Sequence, residues 1–367
     1  MKQFLFVFFL LISLFSCSRH EGKTTGSSDT LVIAWNDAHL HYMGRVDTTG
    51  PDHAVLIWPG NAVVLRFRGK KVEVLLKDEW GKNDYDIILD ESSPRLLRLD
   101  TVRRWYLLAD SLDEGEHQLT FFKRTEWTRG RTFLMAFRVT GPACVPEHPE
   151  VPGRRIEFYG NSITAGYAVH DTLDDRPDST LSDNYPTYAA ITARHYGADY
   201  SCIARSGIGL MVSWFPMIMP EMYDLHDPFD TTRHWDFSRW QADLVVINLG
   251  QNDSWLVRDP RYPEFVHRFG QEPPTDRQII EAYKGFIKMI RNVYPRASII
   301  CALGSMDAVR EGSPWPDYLK TAVKELNDPA VYTLLFPYLG KGGHPKVNDH
   351  QMMADTLIHF VDININW

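Results

Sequence analysis

The sequence predicts two domains in series, an antiparallel β-sandwich followed by a parallel α/β sheet. Three observations carry this. Short apolar and β-branched runs separated by turns fill residues 30 to 143, with no long amphipathic helix among them. Pro146, Pro149, Pro152 and Gly153 then mark a stiff connection. Beyond it, strand-like runs alternate with helix-like stretches, the pattern of a parallel sheet covered on both faces. A length of 367 residues suits about two domains.

The boundaries follow the composition. Lys2 precedes the apolar run Phe4 to Ile12, which is short for a membrane-spanning helix and fits a secretory signal over residues 1–17. Its ending, Leu14-Phe15-Ser16-Cys17, resembles the lipobox of bacterial lipoproteins. That resemblance implies lipidation of Cys17 and anchoring of an exported protein at a membrane of the bacterial cell envelope, on a periplasmic or surface face. A plain signal peptide is the alternative. Residues 18–29, rich in Ser, Gly and Thr, read as a flexible tether. The sandwich is expected over 30–145, the linker over 146–153 and the α/β domain over 154–367.

Within the first domain the expected strands are Ala54–Trp58, Ala62–Phe67, Lys71–Leu76, Tyr85–Leu89, Trp105–Leu108, His117–Phe122 and Thr132–Val139. In the second they are Arg155–Tyr159, Asp199–Ala204, Ala242–Leu249 and Ser298–Leu303, with an extended stretch at Val331–Pro337. Helices are expected at Tyr185–Tyr196, Gln278–Val293, Asp317–Leu326 and Asn348–Val361. The second helix is the clearest: Ile279, Ile280, Tyr283, Phe286, Ile287, Ile290 and Val293 form one stripe.

Composition excludes some functions. The net charge of −8 and pI near 6.0 give no basic face for nucleic acid. Of four cysteines, Cys202 and Cys301 lie in apolar runs suited to buried thiols, and with Cys144 no disulfide is expected. No Cys/His spacing resembles a zinc site. Aromatics at 13% supply large cores or platforms for sugar rings.

Four short blocks carry chemistry: Tyr159-Gly160-Asn161-Ser162, Arg205-Ser206-Gly207, Gly250-Gln251-Asn252-Asp253 and Gly343-His344-Pro345. Acyl transfer by a serine needs a nucleophile, a base and donors for the oxyanion. Ser162, His344 and the donors Ser162 N–H, Gly207 N–H and Asn252 amide form that set. Ser162, Gly207 and Asn252 each follow an expected strand, where sites of parallel sheets gather. Taken singly, each has a plain structural explanation: a helix-capping serine, a turn glycine, an Asn-Asp turn, a loop histidine. Gly209 competes with Gly207, and His350 is the alternative base. The serine block does not fit the Gly-x-Ser-x-Gly elbow, because Thr164 stands where the second glycine would.

The four blocks resemble those of the SGNH (GDSL-like) hydrolases, and most of the mature chain resembles carbohydrate esterase family 2. In the first domain the likeness rests on Gly44-Arg45-Val46-Asp47, Trp58-Pro59-Gly60, Gly115-Glu116-His117 and Lys123-Arg124-Thr125-Glu126. In the second it rests on Gly160 to Tyr167, Ser206-Gly207, Trp235-Asp236-Phe237 and Asn248 to Asp253. The resemblance implies a jelly-roll sandwich before a three-layer, flavodoxin-like SGNH domain. It implies removal of O-acetyl groups from plant polysaccharides such as xylan, mannan or glucan, with no metal or organic cofactor. Ser162 would be nucleophile and His344 base. Tyr167, Trp214, Trp255 and Trp315 are the aromatics available to bind sugar rings, each with a core role as its alternative.

Two positions depart from the wider superfamily. Asn161 replaces the aspartate before the nucleophile, and Lys341 replaces the aspartate three residues before the histidine. No triad acid is visible. The expectation is therefore a Ser162–His344 dyad whose second ring nitrogen bonds a main-chain oxygen. An esterase of the same fold acting on a non-sugar ester, and a carbohydrate-binding surface protein with a decayed site, are the competing readings.

Overall fold

The computed structural model describes residues 1, 30–141, 150–173, 175–176 and 178–367. Cys17 with the rest of the signal segment after Met1, the tether, Cys144 and linker residues 146–149 lie outside the described residues.

The first domain is a β-sandwich. Its strands are β1 (Thr30–Ala34), β2 (Leu40–Met43), β3 (Ala54–Leu56), β4 (Ala62–Arg68), β5 (Lys71–Asp78), β6 (Asp84–Leu89), β7 (Arg95–Arg98), β8 (Arg104–Ala109), β9 (Glu116–Lys123) and β10 (Thr132–Thr140). One sheet runs β1-β10-β5-β8 with β3 also on β10, and the other runs β2-β4-β9-β6-β7. Every pairing is antiparallel. Strand alternation makes the core: Val63, Leu65 and Phe67 of β4 point inward, as do Leu119 and Phe121 of β9, while Arg68 and Gln118 face out. Tyr85 stacks on Phe121 at 4.1 Å between ring centroids. Burial of each such side chain contributes roughly 1.5–3 kcal/mol. The strands β1, β2 and β7 were not expected. β7 is an edge strand, Arg-Leu-Leu-Arg, largely exposed, with only Leu97 packed on the core, too little to make an alternating pattern.

The second domain is a three-layer α/β fold. Its strands β11 (Arg155–Gly160), β12 (Asp199–Ala204), β13 (Leu244–Asn248), β14 (Ser298–Leu303) and β15 (Val331–Leu335) form a wholly parallel sheet in the order β12-β11-β13-β14-β15. Its helices are α1 (Ser162–Ala165), α2 (Tyr188–His195), α3 (Met219–Met222), α4 (Gln251–Leu256), α5 (Pro263–Phe269), α6 (Asp276–Val293), α7 (Trp315–Leu326) and α8 (Val347–Asn364). α6 and α7 cover one face of the sheet, and α2 and α8 the other. The expected stripe of α6 is the buried one, with Ile279, Tyr283, Phe286, Ile287 and Ile290 inside. α2 starts at 188 rather than 185 because Pro186 keeps Tyr185 out of the helix and Thr187 caps it, accepting from Ala190 N–H. Cys202 and Cys301 are buried free thiols.

The strand order sets the site. The chain leaves β11 for β12 on one side, then crosses back to β13 on the other. Loops after β11 and β13 therefore diverge at the carboxyl edge and leave a crevice between them.

The two domains share a core. Trp58 and Trp127 of the sandwich enter the apolar cluster that holds α6, and Ile88 and Phe122 enter the cluster that holds α2. A buried ion pair crosses the seam. Arg45 gives Nη2 to Glu157 Oε1 at 3.0 Å and to Tyr159 Oη at 2.8 Å, and Nη1 to the carbonyls of Tyr223 and Leu225. The Glu157 carboxylate also accepts from Ser201, Tyr159 and Tyr294 hydroxyls. This satisfaction lets charge sit at 1% and 0% exposure.

Candidate active site

β11 ends at Gly160, where a β-carbon would lie 2.0 Å from Thr164 Oγ1, so the chain turns there only as glycine. Asn161 then caps the one-turn helix α1, its Oδ1 accepting from Ile163 N–H at 3.0 Å. That is the work an aspartate oxygen would do at this position, done without charge. Gly166 ends the helix at φ +85°, where a β-carbon would strike the Asp183 carbonyl at 2.0 Å. Ser162 is thus the first helical residue, and its N–H has no acceptor within the helix.

Ser162 Oγ lies 2.7 Å from His344 Nε2. The residues are 182 apart in sequence. The loop carrying the imidazole is fixed by Gly343 at φ +78° and by Pro345.

The other ring nitrogen corrects the sequence reading. His344 Nδ1–H meets a carboxylate, Asp175 Oδ2, at 2.6 Å, and not a main-chain oxygen. The same oxygen accepts His344 N–H at 2.8 Å, and Lys346 Nζ donates to Asp175 Oδ1 at 2.7 Å. Burial works against ionisation of Asp175, but the bonds from His344 and Lys346 outweigh it and hold the carboxyl far below its usual range. The arrangement is a serine–histidine–aspartate relay whose acid comes from the loop after α1. Lys341, where the superfamily has its aspartate, reaches away to Asp349. His350, the alternative base, is buried on α8 with Nδ1 accepting Tyr188 N–H at 3.2 Å. Desolvation pushes its pKa down to about 3, so it stays neutral and takes no part in the relay.

The three expected donors lie on the segments that follow β11, β12 and β13. Gly160 of β11 pairs with Ala204 of β12 and Asn248 of β13, so all three strand ends meet beside Ser162. Gly207 holds φ +84° in the turn after β12, with Trp214 and Phe215 at 3.2 and 3.3 Å from where a β-carbon would be. Asn252 on α4 gives one Nδ2 hydrogen to Ile208 O at 2.8 Å. Its Oδ1 accepts Trp214 Nε1–H at 3.0 Å, which fixes the amide orientation and leaves the second Nδ2 hydrogen for a ligand. Gly209, the competing glycine, gives its N–H to Ser213 Oγ at 2.9 Å. The buried Asp253 carboxylate accepts from Leu210, Met211 and Val212 N–H and ties this loop to α4.

The four aromatics divide. The Tyr167 ring stands 4.9 Å from the His344 ring, inside the site. Trp214, 43% exposed, borders it. Trp255 lies one turn after Asn252 on α4, bonds Asp307 at 3.2 Å and lines a cavity of about 740 Å³ with Arg258, Arg310 and Trp315. Trp315 is buried and packs edge-on against Tyr283 and Tyr318, as core. Sequence reasoning missed Asp175 and Lys346. Asp175 is one of four aspartates between 171 and 178, and nothing in that run singles it out.

Known proteins bear on this geometry. Residues 42–149 match the family described as Carbohydrate esterase 2 N-terminal, and residues 158–332 match the GDSL-like Lipase/Acylhydrolase family. A solved family two carbohydrate esterase from Clostridium thermocellum, in complex with cellohexaose, is 31% identical, with a TM-score of 0.78 over 88% of this chain and 98% of that one. The chain belongs to carbohydrate esterase family 2, a family of carboxylic ester hydrolases. Its curated relatives include the cellulase/esterase CelE of Acetivibrio thermocellus, 31% identical over 89% of this chain; the chain spans 39% of CelE's length. An acetylxylan esterase / glucomannan deacetylase of Cellvibrio japonicus is 23% identical over 97% of both chains. For this family 2 member the acid of the relay is supplied 169 residues before the histidine it bonds.

Proposed function

We propose that the protein removes O-acetyl groups from plant polysaccharides of the xylan, mannan or glucan class. The observation that carries this is the unbroken run of hydrogen bonds from Ser162 Oγ through His344 to Asp175. The names of the family 2 relatives support the acetyl ester and the polysaccharide.

In the proposed reaction neutral His344 Nε2 takes the Ser162 proton as Oγ attacks the acetyl carbonyl. The imidazolium that forms is steadied by Asp175. The carbonyl oxygen becomes an oxyanion facing the N–H groups of Ser162 and Gly207 and the Asn252 amide. Collapse breaks the bond to the sugar oxygen, which leaves with the proton from His344. Water, deprotonated by the same nitrogen, attacks the acetyl-serine; acetate departs and Ser162 regains its proton. The decayed-site alternative rested on a missing acid, and Asp175 removes that support.

The test is acetate release from acetylated xylan, mannan and glucan. Ser162→Ala is expected to abolish release while keeping the melting curve. Release at the normal rate from that variant sinks the assignment. We also propose that the protein is exported and lipid-anchored through Cys17, supported by the Leu-Phe-Ser-Cys ending. Cys17→Ala is expected to move it from the membrane pellet to the soluble fraction, and unchanged partitioning refutes the anchor.

A further inference from the structure

The reaction above uses residues of the α/β domain, yet one oxyanion loop is held from the other domain. Glu126 follows β9 of the sandwich and is 8% exposed. Its Oε2 accepts Ser206 N–H at 2.8 Å, and its Oε1 accepts the Ser206 hydroxyl. The next sandwich residue, Trp127, stacks on the preceding loop residue, Arg205, whose guanidinium carbon lies 4.8 Å from the Trp127 ring and 3.1 Å from Phe215. Two neighbours in one domain thus grip two neighbours in the other.

The gripped residues adjoin the donor. The Gly207 N–H belongs to the peptide between Ser206 and Gly207. Upstream of that peptide, Ser206 is fixed by Glu126. Downstream, the Gly207 carbonyl accepts Trp214 N–H at 3.1 Å and the Ile208 carbonyl accepts Asn252 Nδ2. With both flanks tied, rotation of the peptide that carries the Gly207 N–H is restricted. Since φ is +84°, a glycine left ungripped has many other conformations open to it. Donors of this kind stabilise a transition state only when already aimed.

We propose that Glu126 is a positioning residue for the oxyanion hole, so that the β-sandwich acts in catalysis through the alignment of Gly207 N–H. This rests on the reading of Ser162 as nucleophile. The experiment uses the full chain with 4-nitrophenyl acetate as substrate and methylboronic acid as a tetrahedral probe. Loss of a whole oxyanion donor costs on the order of 10²–10³ in rate, so misaiming one through Glu126→Ala is expected to lower kcat about 10- to 100-fold, with KM within about twofold. Boronate affinity falls in parallel. Glu126→Gln is expected to restore most of the rate, because its amide oxygen accepts Ser206 N–H while its NH₂ donates to a rotated Ser206 hydroxyl. Glu126→Asp retains the charge on a shorter arm; it is expected to lose rate and serves if the alanine variant does not fold. Wild-type kcat in the alanine and aspartate variants overturns the proposal. So does a glutamine variant as damaged as alanine while folded, or a rate loss matched by loss of titratable active enzyme. Ser162→Ala is run alongside: its activity would undo the nucleophile, whereas its silence beside a normal Glu126→Ala undoes only this inference.

Discussion

Asp175 shows what one residue contributes and why it was hard to foresee. Its Oδ2 takes two hydrogens from His344 and its Oδ1 takes the Lys346 ammonium. An asparagine there has one acceptor oxygen for both neighbours, and its NH₂ would face either an N–H or an ammonium. Asp175→Asn is therefore expected to cut kcat on the order of 10²–10⁴, as loss of tautomer control does in serine triads, with KM little changed. Steady-state kinetics checks it; an unchanged kcat would mean that the aspartate merely packs. The Ser162–His344 contact was legible because the serine follows a strand-like run and the histidine sits between glycine and proline. The acid was not, since its role arises from a contact between loops 169 residues apart. The lysine at 341 argued for a dyad only on the assumption that the acid must come from the histidine loop.

Among elements, α8 carries a pH consequence through His350. It packs on α2 with His350 fully enclosed, the ring parallel to Tyr188 at 6.2 Å and Nδ1 accepting from the first N–H of α2. Desolvation lowers its pKa from 6.5 to about 3, with Asp349 opposing and the cations of Lys346 and a protonated His344 adding to the fall. The unfolded imidazole binds a proton near 6.5 and the folded one only near 3. The contribution of His350 to stability is thus full above pH 6.5 and is lost as pH drops toward 3, by at most about 1.4 kcal/mol per unit. His350→Asn retains an acceptor for Tyr188 N–H and removes the titration. Urea unfolding at pH 7, 5.5 and 4 is expected to show a shallower slope in this variant, and equal slopes would refute the account. At this scale the sequence was informative where periodicity was strong. Asp199–Ala204 and Ser298–Leu303 fall on the expected residues, and α6 differs at its start by two. The short helices α4 and α5 escaped because six and seven residues hold too few turns to show a period.

The whole molecule depends on the seam. The Gly44-Arg45-Val46-Asp47 run reads as a β-domain motif, yet Arg45 places its charge beneath β11, against Glu157. Removing one partner strands a buried charge, so Arg45→Ala is expected to cost about 3–5 kcal/mol. Chemical denaturation should show that loss in a single transition monitored by both domains, because their apolar clusters interleave. Two separate transitions would mean that the domains fold independently. The order of domains was readable from the change of period; the shared core was not, because contacts between distant segments leave no periodic trace. Sheet order was likewise invisible, although it places Ser162 and Asn252 on either side of one crevice.

The hydroxyl and its imidazole partner are separated by 182 residues of chain. During synthesis, at roughly 5–20 residues per second, the serine leaves the ribosome on the order of 10–40 seconds before the histidine does. Throughout that interval the nascent polypeptide holds the Ser162 hydroxyl without the imidazole that bonds it in the finished fold.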